Sequence, residues 1–297
     1  MGVAHRPDDT ARHTPKGPHV PRTPTCVLSS ASPARAADGH AVDRFVEIGS
    51  FTKVLTGTAM TRMAAAGLLD VDAPVERLLP AAPGTGITLR HLAEHTSGLP
   101  RLPPGTRFLD PYAPFDEAAL HRLLGRLDKV ALRPPGQREE YSNLGYAVLG
   151  AALVSAAGTA YEELLAEHVL RPLEVEEVSV RPDPARRLLA PGLFGGERRP
   201  WTMDGAILPA GGLWATPRAV ADLLVRLAVE RRLGDPAPSW VTTGRLRWHN
   251  GATRHASLFA GATEDGRWVV VHRLGGRSVR TDRMAVELLG NSGSQAS

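Results

Sequence analysis

Helix-patterned and strand-patterned segments do not alternate along this chain. From about residue 50 to 230 the apolar residues recur at helical spacing, and the β-like runs are confined to the stretch after residue 244. Ser50 to Ala66 carries Phe51, Val54, Leu55, Met60 and Met63 about three and four apart, with Gly67 as a C-terminal stop. Thr88 is an N-cap for a short helix that ends before Gly98-Leu99-Pro100, and residues 116–127 read as another helix. "LGYAVLGAALVSAAG" is a helix rich in small residues, which predicts close packing on a neighbour. Thr159 and Glu162 stand at capping-box spacing, and Thr216-Pro217 opens the helical run "RAVADLLVRLAVE". Residues 181–212 read as irregular. "RLRWHNG", "HASLFAGA" and "RWVVVHRL" then read as strands, Asp265-Gly266 as a hairpin turn, and "VRTDRMAVELL" as a closing helix. Segregation of this kind predicts α+β: an antiparallel β-sheet flanked by helices, with a mostly helical second lobe over about 74–200 and sheet strands mainly at 245–275.

The segment 1–43 is expected to be poorly ordered, and a single domain is expected over 44–297. The first 24 residues are rich in Pro, His, Arg and Thr, without apolar periodicity. Residues 25–29 offer at most one strand, so the sheet is expected to be truncated there. Ala34-Arg35-Ala36 has the form of a cleavage site, but only Val27 and Leu28 precede it as strong hydrophobes, too few for a signal peptide. As written the chain reads as cytoplasmic, with export kept as an alternative and localisation left open. The net charge of +4 comes from scattered residues with no basic stripe, which argues against a nucleic-acid partner. Cys26 is the only cysteine, so no intrachain disulfide can form. No apolar run approaches the roughly 20 residues of a membrane span.

Of 35 basic residues only Lys16, Lys53 and Lys129 are lysines. Lys53 interrupts an apolar helical run three residues after Ser50, so the two share a helix face. A serine hydroxyl needs a base before it can attack, and the amides of a helix N-terminus favour the negative charge that develops. Lysine can be that base, because burial and nearby cations lower its pKa; arginine effectively never deprotonates. A residue needed only for its charge would, in this composition, be arginine. S-x-x-K alone is short and is matched often by chance, but two further elements accompany it. In "EEYSNLGYAVLG" Tyr141 and Asn143 precede a helix two residues apart, so in extended chain their side chains point the same way. A phenol can relay protons, and an amide can fix both a lysine and a substrate carbonyl. In "RLRWHNGATRHASLF" His249-Asn250-Gly251 lies on a strand, where Gly251 permits close approach of a substrate backbone.

Together and in this order, Ser50/Lys53, Tyr141/Asn143 and His249/Gly251 resemble the serine β-lactamase-like family of class C β-lactamases, DD-peptidases and related esterases. Its pattern is S-x-x-K, Y-x-N and K/H-x-G on an edge strand. "ITLRHLAEHTSGLP" and "PAGGLWAT" resemble further stretches of the family, and the likeness spans about 44–290. The resemblance implies a serine hydrolase acting through an acyl-enzyme on a β-lactam, a D-amino peptide or a small ester, without metal or cofactor. Ser50 is then the nucleophile. Lys53 and Tyr141 share the acid and base work. Asn143 orients Lys53 and the acyl side chain, His249 binds substrate or joins the proton network of Tyr141, and the N–H groups of Ser50 and Ala252 form the oxyanion hole. The chain departs from the pattern in lacking a clear pair of leading strands, in continuing past Gly251 as Ala252-Thr253-Arg254-His255, and in lacking an evident export signal.

Two other readings remain at this point. His91, Glu94 and His95 match the zinc-peptidase pattern H-x-x-E-H, with Glu162, Glu163 or Glu167 available as a third ligand. A catalytically weak or inactive binding protein on the same fold is the other, motivated by the leading segment and by Arg254-His255. No nucleophile elbow, phosphate loop or dinucleotide fingerprint is present. Oligomeric state is not legible.

Overall fold

The computed structural model describes residues 23–192 and 196–291. The strands are β1 (Thr25–Ser29), β2 (Arg35–Ala37), β3 (Val46–Glu47), β4 (Val178–Ser179), β5 (Trp214–Ala215), β6 (Val241–Thr243), β7 (Leu246–Ala252), β8 (Ala256–Thr263) and β9 (Trp268–Leu274). The helices are α1 (Thr52–Ala65), α2 (Leu89–Ala93), α3 (Glu117–Leu124), α4 (Leu127–Val130), α5 (Asn143–Ala157), α6 (Tyr161–Leu165), α7 (Leu208–Gly211), α8 (Pro217–Leu224) and α9 (Ser278–Asn291). Six strands form an antiparallel sheet in the order β2-β1-β9-β8-β7-β6, and β3, β5 and β4 make a small second sheet. The architecture is the expected α+β, with helices α2 to α6 collected in the second lobe.

Side chains alternate across the sheet, as a pleated strand requires. From β8, Leu258, Ala260 and Ala262 enter the main core, while Phe259 joins Val269, Val271, Ala285 and Leu289 under α9. One turn follows the sequence reading, and a second glycine ends a helix. Gly266 adopts a positive φ of 85° between β8 and β9, and Gly158 closes α5 in the left-handed region.

The leading segment corrects the sequence expectation. β1 pairs with β9 from Thr25↔Arg273 to Ser29↔Val269, and β2 pairs with β1, so the two leading strands of the sheet are present and order begins well before residue 44. Only Cys26 and Leu28 of β1 are buried, and Arg35-Ala36-Ala37 of the edge strand β2 are all exposed. Two buried residues are too little hydrophobic signal to reveal a strand, and an exposed edge gives none. The part of the expected disordered segment before residue 23 lies outside the described residues. A second correction concerns α6, whose N-cap is Ala160 with no side-chain bond, so Thr159 does not cap it.

Helix α1 is buried from Thr52 through Met60 on every face. Such a helix belongs to the middle of a molecule, which is why a lysine within it cannot reach water. Alongside it, α5 packs on α7 so closely that a Cβ at Gly150 would stand 2.1 Å from Pro209 Cγ, the close approach its small residues predict. Together α1, α5, α7 and β7 fix the candidate site.

Candidate active site

Ser50 lies in a one-turn 3₁₀ helix, Gly49–Phe51, that leads into α1. Gly49 holds a φ of +52°, which few other residues accept, and this kink turns Ser50 outward at the start of a buried helix. Ser50 is half-buried, and its Oγ receives the hydroxyl of Tyr141 at 2.6 Å. One turn on, Lys53 is wholly buried. Its amine donates to Asn143 Oδ1 at 2.8 Å and to the Ala210 carbonyl at 2.5 Å, and lies 4.7 Å from the centre of the Tyr141 ring.

Those partners are held in place by local chain features. Ser142, not Asn143, caps α5: its hydroxyl receives the Gly145 N–H at 2.8 Å and donates to the Pro100 carbonyl at 2.7 Å. That leaves the Asn143 amide free to face the lysine, while its Nδ2 donates to the Tyr112 hydroxyl at 2.7 Å. The Asn143 N–H is tied to the Arg101 carbonyl at 2.9 Å, and the Arg101 guanidinium lies 4.9 Å from the Tyr141 ring centre.

Burial, and secondarily the charge of Arg101, depress the Lys53 pKa far below that of a free lysine. Burial pushes the Tyr141 phenol up to about 12, against the pull of its bond to Ser50 and the Arg101 charge. At neutral pH the Tyr141 phenol is therefore uncharged, and at Lys53 burial favours the neutral amine. A neutral amine has two N–H bonds and one lone pair. Both N–H bonds are taken by Asn143 and Ala210, which leaves the lone pair to accept a proton.

The third element arrives on β7. Strand β6 pairs only with Leu246 to Trp248, so beyond Trp248 that edge of β7 is open and lies against the Ser50 turn. A Cβ on Gly251 would stand 2.0 Å from the Ile48 carbonyl oxygen and 3.2 Å from the Ser50 nitrogen, and one on Gly49 would stand 2.8 Å from the Ala252 nitrogen. Two glycines thus let the Ser50 and Ala252 backbones meet.

Ser50, Lys53, Tyr141, Asn143, Gly251 and Ala252 are brought together in the structure. His249 is buried close enough to Lys53 and His95 to feel the charge of the first and act on the second. It is 4% exposed, its Nδ1 is 2.6 Å from the Asn250 carbonyl, and burial lowers its pKa to about 4. The histidine against the Tyr141 ring is His95, with centroids 4.5 Å apart, its pKa lowered to about 3 mainly by burial. Arg254 and His255 form the tip of the β7–β8 hairpin, where Thr253 N–H donates to the Ala256 carbonyl.

The zinc reading loses its ligands to structural roles. α2 ends at Ala93, and His95 lies beyond it with a φ of +59°, so the i, i+4 face is broken. His91 Nδ1 accepts the Thr88 N–H, His95 Nδ1 accepts the Ser142 N–H, and Glu94 pairs with Arg90. Among the described residues no three His, Cys, Asp or Glu side chains gather as a metal site.

Sequence reasoning missed Arg101, Tyr112 and Ala210, and named His95 only as a zinc ligand. Arg101 directly follows the stretch 87–100 and Ala210 lies within 209–216, both singled out above. Tyr112 sits in a loop with no periodic signal.

The chain belongs to the β-lactamase family, whose model, described as Beta-lactamase, matches residues 28–293. It is 32% identical over 188 residues to the D-alanyl-D-alanine-carboxypeptidase/endopeptidase AmpH of Escherichia coli K12, covering 59% of this chain and 47% of that protein. This chain thus aligns with only about half of that relative's length. Among solved structures the fold matches the β-lactamase/D-alanine carboxypeptidase of Yersinia pestis, with a TM-score of 0.74 and 20% identity, over 90% of this chain and 92% of that one. It also matches the D-amino acid amidase of Ochrobactrum anthropi SV3, with a TM-score of 0.75 and 17% identity, over 92% and 93% of the two chains. Among the described residues no single helix is long and apolar enough to cross a membrane.

Proposed function

We propose that this protein is a serine hydrolase that forms an acyl-enzyme on Ser50, acting on a β-lactam, a D-amino peptide or a small ester. One observation carries the reading: a lysine amine in full burial, one helical turn from a hydroxyl, with both of its N–H bonds already engaged. Ser50 Oγ bonds to the substrate carbonyl carbon as its proton passes to the Lys53 lone pair, directly or through the Tyr141 hydroxyl. The carbonyl oxygen takes the negative charge and is met by the N–H groups of Ser50 and Ala252, donors of a kind worth about 3–4 kcal/mol. The carbon–leaving-group bond then breaks. Tyr141, still protonated, gives its proton to the departing atom and recovers one from Lys53. Water attacks the ester by the reverse route, releasing the acid and restoring the Ser50 hydroxyl. The names of AmpH and the D-amino acid amidase support amide-bond substrates of the D series.

The test is covalent labelling by a fluorophosphonate and by a penicillin, followed by hydrolysis of nitrocefin, a D-Ala-D-Ala peptide and p-nitrophenyl esters. Label on the wild type that disappears in Ser50→Ala, with the fold intact, is expected. A folded wild-type protein that takes no label would favour the inactive, binding member of the fold.

A further inference from the structure

A cavity of about 290 Å³ opens beside the site, between the stretch 199–204 and the segment 211–214. Three contacts place it next to the reacting groups. At its floor is Gly211, where a Cβ would stand 3.5 Å from the Gly49 carbonyl carbon, next to Ser50. At its wall Trp201 packs edge-on against Tyr112, the phenol that receives Asn143. At its inner end is Glu47, three residues before Ser50, whose Oε2 accepts the hydroxyl of Thr253 just past Ala252. None of Ser50, Lys53 and Tyr141 lines it, so the proton transfers leave it free for binding.

Its charges are unbalanced. Arg181 is matched by Asp204 at 3.3 Å. Arg187 lies over the Trp214 ring and donates its Nε to the Pro182 carbonyl, and Arg199 has no ion pair among the described residues. The only other acid is Glu47, whose carboxylate is bonded to Thr253 and makes no ion pair among the described residues; burial raises its pKa to about 7. Two guanidinium groups that make no ion pair among the described residues thus line a cavity whose other walls include Trp201, Trp214, Val180, Met203 and Leu213. The planar fork of arginine suits a carboxylate, and the low dielectric beside tryptophan rings strengthens that pairing.

We propose that this cavity holds the acyl portion of the substrate and selects acyl groups that end in a carboxylate, bound by Arg187 and Arg199. The proposal rests on acylation of Ser50 as argued above. It is tested with two p-nitrophenyl esters of equal chain length, the mono-ester of adipate and the ester of hexanoate, by their Ser50-dependent kcat/KM at low ionic strength. The adipate ester is expected to be favoured about tenfold or more, the scale of one hydrogen bond to a charged group. The ratio should fall in Arg199→Gln, invert in Arg199→Glu and be partly kept in Arg199→Lys. Hexanoate turnover that depends on Ser50 without any adipate preference would overturn this inference alone, as would a preference that no Arg199 variant changes. If neither ester acylates Ser50 in protein that takes the fluorophosphonate label, this inference falls and the hydrolase reading stands; if the label is absent as well, both fall.

Discussion

An amine stripped of water loses the hydration that keeps an ordinary lysine protonated, and Lys53 has no exposed surface at all. Its two acceptors, Asn143 Oδ1 and the Ala210 carbonyl, are neutral, so no carboxylate restores the charge. An arginine could not use such a site, since it would stay ionised without a counter-ion. The Tyr141 hydroxyl is the polar group bonded to Ser50 Oγ, and its removal tests the proton route. In Tyr141→Phe the acylation rate should fall by about 10²–10⁴, the usual range for general acid–base catalysis. The ring contacts with His95, Arg101 and Lys53 remain, so the melting temperature should change little. Burst kinetics and thermal unfolding read the two effects separately. Lys53, Tyr141 and Asn143 were legible in the sequence because each has a fixed spacing on a local element. Arg101, Tyr112 and Ala210 were not, because they act through a ring face, a loop hydroxyl and a backbone carbonyl, which residue type does not announce.

Strand β7 does its work through its backbone. It is paired on both edges only up to Trp248, and past that point its free edge lies against the Ser50 turn. Gly251 is the hinge of this contact, because a Cβ there would sit 2.0 Å from Ile48 O, a backbone atom that cannot step aside. Gly251→Ala should therefore cost about 1–3 kcal/mol of stability and also slow acylation, since it drives the Ser50 and Ala252 amides apart. Urea unfolding and ester turnover measure both; an unchanged midpoint with full turnover would contradict the contact. β7, β8 and β9 were readable from apolar runs and from Asp265-Gly266. β1 and β2 were obscured because a short strand with two buried residues, followed by an exposed edge, carries almost no pattern. The close approach of α5 and α7 was foreshadowed by small residues, whereas the failed cap at Thr159 shows how readily capping-box spacing arises without the geometry.

Over the molecule as a whole, burial lowers the pKa of five of the described histidines, four of them far. His40 and His249 are lowered to about 4, and His95 and His272 to about 3. His272 Nε2 lies 3.1 Å from the Glu47 carbonyl and so carries its proton there. Its Nδ1 then accepts from His40 Nε2 at 2.8 Å, which ties the leading segment to the strand that enters the site. Unfolded histidines take up protons below about pH 6.5, while these remain neutral in the fold until far lower. Their stabilisation is thus complete above about pH 6.5 and is lost as pH falls towards the folded values. The slope is at most about 1.4 kcal/mol per pH unit for each histidine. Glu47 and Asp282, both raised by burial, act in the opposite sense, Glu47 gaining stability as pH falls from about 7 towards its ordinary 4.5, but they are fewer than the lowered histidines. Thermal unfolding should show a clear drop from pH 7 to pH 5; a level profile over that window would contradict it.

The central claim is that a neutral Lys53 activates Ser50, and the pH dependence of single-turnover acylation tests it most directly. Because the amine must be unprotonated, acylation should be lost as pH falls through the depressed Lys53 pKa, with full rate reached well below the ordinary lysine value of 10.5. Lys53→Arg should abolish acylation at every pH. A rate that rises only near pH 10.5, or an arginine variant that acylates like the wild type, would show that Lys53 is not the base.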